Sequence, residues 1–295
     1  MRFVQLRAFH YVAICGGFSR AAEELRLTQP AISDQVRKLE EEYDILLFNR
    51  VKKQVVLTAQ GERLLEITRR MFDCEAQAHD LLSESRALRS GTLRITADSA
   101  HHLRHILARF RSVHPGVRVI LRTGNSDSVI ASLHAYEADL GVLGDMPASR
   151  DFVTTRLSTS PIVAFVARRD PLAGRATVSL AELAGLPLVL REEGSKTRGK
   201  LEAGFAAAGL PLVAAIEAEG REAVREIVAA GGGVGFVSAA EFGADARLVQ
   251  LAITGAGSAD LSMDEALICL RERQSGKLVQ AFFEIAAEAG GAPGR

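Results

Sequence analysis

Apolar residues in the first part of the chain recur at helical spacing. Leu6, Phe9, Val12 and Ala13 share one face, and the pair Gly16-Gly17 ends the run. Ser19 then stands as the N-cap of a second short helix, RAAEELRL, whose early Glu23 and Glu24 suit the positive end of a helix dipole. After the turn RLT, the stretch TQPAISDQVRKLE places Ile32, Val36 and Leu39 on one face. Pro30, Ser33, Asp34, Arg37 and Lys38 fall on the other. Pro30 belongs in the first turn, where its missing N–H costs nothing and its ring pre-sets the backbone. Three short helices with a tight connection between the second and third predict a helix-turn-helix. The segment LLFNRVKKQVVLT follows, with β-leaning pieces at 46–49 and 54–57. Arg50, Lys52 and Lys53 lie between them, as in a two-stranded wing with a basic tip.

From Thr58, a suitable N-cap, no proline occurs up to Arg89, and Gly61 is the only glycine. Leu64, Ile67, Met71, Cys74, Ala78, Leu81, Ser85 and Leu88 step alternately by three and four, a heptad seam weakened by Cys74, Ala78 and Ser85. A helix of this length reaches roughly 45 Å. Its stripe calls for a partner chain, the alternative being a helix packed on its own globular domain. Beyond Gly91 the pattern becomes alternating strand and helix. Strand-like runs stand at 93–97, 117–122, 139–144, 162–167, 187–190, 233–238 and 265–270. This alternation predicts a parallel sheet covered by helices. About 200 residues exceed one comfortable core, which favours two lobes with a cleft. The expected organisation is an α/β chain overall: a winged helix-turn-helix at 1–59, a linker helix at 60–90 and a two-lobed part at 91–295.

Composition changes this picture little. The 295 residues are 47% hydrophobic and 24% charged, with 36 basic and 36 acidic side chains, so net charge names no partner. Local basic patches still count. Cys15, Cys74 and Cys269 lie far apart and form no C-x-x-C pair, which suits free thiols in a reducing compartment. Gln5, Arg7 and His10 interrupt the first apolar stretch, and no window of about 18 apolar residues occurs, so no membrane partner and a cytoplasmic, nucleoid-associated location are expected.

A helix entering the major groove reads base edges mainly with its N-terminal residues. Thr28, Gln29, Pro30, Ser33, Arg37 and Lys38 fit contacts to bases and phosphates of double-stranded promoter DNA. An amphipathic helix with a solvated face is the simpler alternative, but the preceding helix, turn and basic wing favour DNA. The segment from Phe18 to Leu65, with Ala21-Ala22, TQPAIS, Leu39-Glu40, the LLF-R run and the LT-QG run, resembles the DNA-binding domain of LysR-type transcriptional regulators. The resemblance extends to the whole order of domains. It implies a winged helix-turn-helix, a linker helix and a two-lobed effector domain like type 2 periplasmic binding proteins, with lobe I at 91–161 and 268–295 and lobe II at 162–267. It also implies a homodimer or homotetramer that bends DNA, answers a small-molecule inducer and contacts RNA polymerase. Ser19, Arg50, Lys52 and Lys53 join the expected DNA-binding set. Asp34 departs from the family's usual base or polar residue. It either accepts from cytosine N4 or orients Arg37 and Lys38.

In such a domain, ligand sites belong at strand C-termini and helix N-termini. TADSAHHL offers Asp98, Ser99, Ala100, His101 and His102, and TGNSDSV offers Asn125, Ser126 and Ser128. REEGSKTRGK offers Ser195, Lys196, Thr197 and Arg198, and EAEGREAV offers Glu219 and Arg221. Simple N-capping accounts for any one of these turns alone. The family resemblance carries the inducer role onto Ser99, Ser126, Ser195 and Thr197. LRAFH, SDQV, ERLLEITRRMF, GNSDSV, VLREEGSKTR and EGREAVRE further resemble the LysR-type subgroup associated with 2-aminoethylphosphonate catabolism. That resemblance implies a phosphonate held by Arg198 or Arg221, with Arg198 as clamp, and an ammonium held by Asp98 or Asp145. An amino acid or an aromatic carboxylate is the alternative inducer.

No enzyme signature competes. GGGVGF fails the dinucleotide spacing, GSKT lacks the rest of a phosphate loop, and neither H-E-x-x-H nor G-x-S-x-G occurs. His101, His102 and His105 share a helix turn, yet no nearby acid completes a metal set, so solvated or cleft-lining histidines are expected, with no metal, cofactor or catalytic residue. A solute-capturing protein is disfavoured by the DNA-binding head and the lack of a signal peptide. An α/β enzyme with a regulatory head is the remoter reading.

Overall fold

The computed structural model describes residues 1–51, 54–82, 88, 90–147, 149–255 and 260–290. Lys52, Lys53, Ser85 and Arg89 lie outside them. The chain divides into two compact units, Met1–Leu82 and Ser83–Arg295.

The first unit opens with α1 (Phe3–Cys15), α2 (Phe18–Leu25) and α3 (Gln29–Tyr43). Phe9, Val12, Ala21, Ala22, Ile32, Val36 and Leu39 bury against one another, as their spacing requires. Gly16 ends α1 in the left-handed conformation, at φ 66°. Gly17, rather than Ser19, occupies the N-cap of α2; Ser19 lies inside the helix and is exposed, because the chain turns back into helix immediately after Gly17. The wing is β1 (Phe48–Val51) paired antiparallel with β2 (Gln54–Leu57). Glu40 Oε1 accepts the amides of Leu47 at 2.8 Å and Phe48 at 3.3 Å, so the Leu39-Glu40 motif fixes α3 to the core and the wing to α3.

Thr58 Oγ1 accepts from the Gly61 amide at 3.0 Å as α4 (Ala59–Leu82) begins. A Cβ on Gly61 would stand 2.2 Å from the Leu47 carbonyl oxygen, which explains the glycine. Along α4 the expected seam divides. Leu64 and Met71 pack on the winged core, whereas Ile67 and Cys74 are exposed.

His10 is buried in this unit, its Nδ1 3.0 Å from Thr68 Oγ1 and its ring 4.5 Å from that of Phe72. Burial, with Arg69 nearby, lowers its pKa from 6.5 to about 4. Folding therefore favours the neutral ring. That stabilisation is complete above pH 6.5 and is lost as pH falls toward 4, a change of about 3 kcal/mol. The unfolding midpoint of the N-terminal unit should fall across this window, and His10→Gln should flatten the slope. An unchanged slope in the variant would assign the acid sensitivity elsewhere.

In the second unit, β3 (Thr92–Ala97) lies parallel between β4 (Arg118–Thr123) and β5 (Leu140–Gly144). Two long strands then cross between lobes: β6 (Phe152–Ala167) and β12 (Ser262–Leu270), antiparallel to each other. β6 pairs with β12 as far as Pro161, then with β10 (Gly235–Ser238) and β11 (Leu248–Thr254), both antiparallel. β7 (Thr177–Ser179) lies parallel to β11, and β8 (Leu188–Arg191) parallel to β9 (Ala214–Ala218). The expected all-parallel sheet is thus a mixed one, because β6 and β12 run against their neighbours. The first half of β6, FVTTRLSTSP, alternates in burial and carries Pro161, so it does not read as an apolar run; its second half is buried throughout.

The helices are α5 (Arg104–Val113), α6 (Ser126–His134), α7 (Leu180–Leu183), α8 (Lys196–Ala207), α9 (Arg221–Ala229) and α10 (Lys277–Gly290). Phe110 and Phe282 anchor the core of the first lobe, and Phe205, Leu180, Leu183 and Leu251 that of the second. Glu265 to Ile268 already pair with β5, so β12 rejoins the first lobe before the expected boundary at 268.

Candidate functional site

Two surfaces carry candidate chemistry. On the first unit, Thr28 is the N-cap of α3 without a side-chain capping bond, and Thr28, Gln29 and Pro30 are exposed at the helix start. Asp34 sits within a short ion-pair chain. Its Oδ1 accepts from Arg37 Nη2 and its Oδ2 faces Lys38 Nζ, each at 2.7 Å, while Arg37 also reaches Glu41 at 2.8 Å. The hydrogen bonds from Lys38 and Arg37 hold the Asp34 carboxyl below the usual range. Exposed pairs of this kind add little stability. Their effect is to hold the two cations along one side of the helix beside Ser33.

The second surface is a cleft of about 980 Å³ in the effector domain. Asp98, Ser99 and Ala100 follow β3, and Thr123, Gly124, Asn125 and Ser128 follow β4. The far wall is Arg191 and Glu192, after β8, and Glu219 to Ala223 with Glu226, at the start of α9. All four expected turns therefore reach the cleft, REEGSKTRGK only through Arg191 and Glu192. Asn125 Nδ2 donates to the Glu193 carbonyl oxygen at 3.1 Å across the two lobes. Gly220 adopts φ +82° and leaves α9 with no side-chain cap, and the first residues of that helix line the cleft.

The cleft is acidic. Asp98, Glu192, Glu219, Glu222 and Glu226 line it against Arg191 and Arg221. Arg191 donates to Glu192 through Nε at 2.9 Å and through Nη2 at 2.5 Å, and the Gly220 amide adds a third bond at 3.0 Å. Burial opposes ionisation of Glu192, but these donors prevail and bring its pKa down to about 2.

The later residues of REEGSKTRGK, from Ser195 on, do not line the cleft. Arg198, expected as an anion clamp, donates to Glu202 at 2.8 Å, Glu217 at 2.7 Å and the Arg191 carbonyl at 3.0 Å, and does not line the cleft. Its role is to brace α8 against β8 and β9. Ser195 and Thr197 are buried beneath the surface. Asp145 lines a separate hollow with Lys196 and Lys200, so it does not reach the cleft. Ser126 is buried and donates to Asp98 Oδ2 at 3.1 Å, which also accepts the Gly144 amide at 2.8 Å. Ser126 thus orients Asp98.

Behind the cleft lies a buried charge cluster. Arg221 donates through Nη1 to the Asp98 carbonyl; its Nη2 is 3.6 Å from Asp98 Oδ2 and its Nε 2.8 Å from Glu241 Oε2. Glu241 Oε1 is 3.2 Å from His102 Nε2, and that nitrogen is 3.6 Å from Glu265 Oε1. Burial favours the neutral form of Glu241, but the bond from His102 and the charge of Arg221 lower its pKa to about 2. Burial, with Asp98 and Glu241 close by, pushes Glu265 up to about 9. Neither Glu241 nor Glu265 is part of the expected site. Glu265 left a trace in the sequence, an acid opening the apolar run EALICL, and Glu241 left none.

Residues 3–62 match the family described as bacterial regulatory helix-turn-helix protein, lysR family, and residues 86–291 match the LysR substrate binding domain. The RuBisCO operon transcriptional regulator of Allochromatium vinosum is 36% identical over 204 residues, 68% of each chain. Full-length OxyR from Pseudomonas aeruginosa superposes with a TM-score of 0.76 at 21% identity, covering 98% of this chain and 94% of that one. CbnR in complex with its target DNA superposes with a TM-score of 0.69 at 22% identity, covering 98% of this chain and all of that one (100%). With both of its parts matched in order, the chain belongs to the LysR family of DNA-binding transcriptional regulators and is not an enzyme.

Proposed function

We propose that the effector cleft takes a small zwitterionic metabolite and that its occupancy governs transcription from a promoter bound through α3 and the wing. One observation carries the ligand class: the uncapped start of α9 and the hydroxyls of Ser99, Thr123 and Ser128 face the same space as an excess of carboxylates. Helix amides attract an anionic group, and Glu192, Glu219 and Glu222 attract an ammonium. The phosphonate 2-aminoethylphosphonate, which the sequence resemblance suggests, has both ends. In this reading Arg221 and the α9 amides, in place of Arg198, receive the phosphonate.

A second reading rests on the Allochromatium relative, whose name ties it to a RuBisCO operon. On that reading the chain would govern a carboxylation operon, and Arg221 and the start of α9 would take an effector without an ammonium. Thr28, Gln29, Ser33, Arg37 and Lys38 are proposed to contact the operator. The exposed Ile67 face of α4 is proposed to meet a second copy, giving a homodimer or homotetramer that recruits RNA polymerase.

Thermal shift of the full-length protein separates the ligand readings. At a hundredfold excess over Kd, a ligand stabilises by about 2.7 kcal/mol. A shift with 2-aminoethylphosphonate, and none with ethylphosphonate or ethanolamine, is expected. An equal shift with ethylphosphonate would reject the need for an ammonium and favour the second reading.

A further inference from the structure

We propose that His102, Glu241 and Glu265 bind one first-row divalent cation at the hinge of the effector domain. One atom from each side chain lies within 4.8 Å of the other two. The His102 Nε2 distances to Glu241 Oε1 and Glu265 Oε1 are 3.2 and 3.6 Å. Donors bound at about 2.1 Å to a tetrahedral ion stand about 3.4 Å apart, between these two values. The three side chains are 5%, 2% and 1% exposed, so the site is enclosed.

A proton on His102 serves only one of the two carboxylates at a time. Both oxygens of Glu265 have no hydrogen-bond partner among the described residues, although the group is buried and aimed at the imidazole. A buried carboxylate in that condition calls for a bound cation or proton. The opposite ring nitrogen, Nδ1, faces Ser158 Oγ at 3.4 Å, which orients the ring and leaves Nε2 for the ion. Charge gives the same answer. Asp98, Glu241 and Glu265 bring three carboxylates to one cluster, and Arg221 is the guanidinium that faces them. Three carboxylates facing one guanidinium leave an excess of two negative charges, which one divalent cation balances. One nitrogen and two oxygens suit zinc, cobalt or manganese better than magnesium, which takes oxygen and water.

The ligands come from three places in the fold. His102 follows β3, Glu241 follows β10, and Glu265 stands on the crossing strand β12. One ion therefore joins both lobes to the strand between them. Asp98 and Arg221 touch this cluster and also line the cleft, so loading the ion is coupled to the geometry of the ligand site.

The test uses the full-length protein, stripped with a chelator and dialysed against zinc chloride. One zinc per chain is expected by elemental analysis, with a rise in Tm that magnesium chloride does not reproduce. Glu265→Gln should weaken zinc binding by roughly 100-fold or more. Cys15, Cys74 and Cys269 are competing thiols, so cobalt chloride serves as a second probe of the unsubstituted protein. Four-coordinate d–d bands without thiolate charge transfer are expected. Zinc content unchanged in folded Glu265→Gln and His102→Gln would overturn the site. So would a cobalt spectrum with thiolate charge transfer or only six-coordinate bands, which decides the matter even if the variants do not fold.

Discussion

Arg221→Ala is expected to destabilise the effector domain by about 3–5 kcal/mol, a shift in Tm of roughly 10 °C for a unit of this size. The guanidinium touches Glu241 at 2.8 Å and lies 3.6 Å from Asp98 Oδ2. Burial weakens its charged form, but Glu241, Asp98 and Glu265 more than offset this and hold it protonated. Removing one partner of a buried ionic group leaves the other charges desolvated and unpaired, which costs more than the pair itself contributes. The loss should be smaller in the double variant Arg221→Ala with Glu241→Gln, because the stranded carboxylate is then gone. Denaturant unfolding of both variants and the parent measures this coupling. A single-variant loss under about 1 kcal/mol would mean that Arg221 does not compensate the cluster. The same variant should also lose affinity for the cleft ligand, since Arg221 faces both places.

Phe9→Ala should cost the N-terminal unit about 3–5 kcal/mol and with it most operator binding. Phe9 is fully buried, its ring 5.3 Å from that of Phe48 at the base of the wing. It sits among Val12, Ala22, Val36 and Leu39, so one cavity loosens α1, α3 and the wing together. A unit of about 80 residues has little stability to spare, so a loss of this size unfolds a large share of the molecules. Phe9→Leu keeps most of the volume and should cost less than about 1.5 kcal/mol. Gel shift and limited proteolysis read both effects. Operator binding that survives in Phe9→Ala would place the fold's stability elsewhere than in this core.

The recognition helix was legible because its signals are local. The proline in the first turn of α3, the stripe Ile32, Val36 and Leu39, and the glycine pair after α1 each depend on a few neighbours along the chain. Ser19 misled because a serine before an acidic turn resembles a cap, while the actual cap is the backbone of Gly17. Arg198 misled for a different reason. Its spacing after Ser195 puts it at a helix start, but Glu217 arrives from β9 and takes the guanidinium away from the cleft. The heptad pattern of α4 predicts one seam, yet Leu64 and Met71 turn toward their own winged core.

Helices, the order of the parts and the family are therefore local information, since periodicity, caps and motifs are properties of short segments. The direction of β6 and β12 emerges only on folding, because strand pairing is a long-range choice that a run of alternating residues does not encode. The charge cluster is the clearest instance. His101, His102 and His105 showed no acid nearby in the chain, and the acids came from Glu241 and Glu265, more than a hundred positions away. Their burial, and the pairing that burial demands, exist only once both lobes fold around the crossing strands.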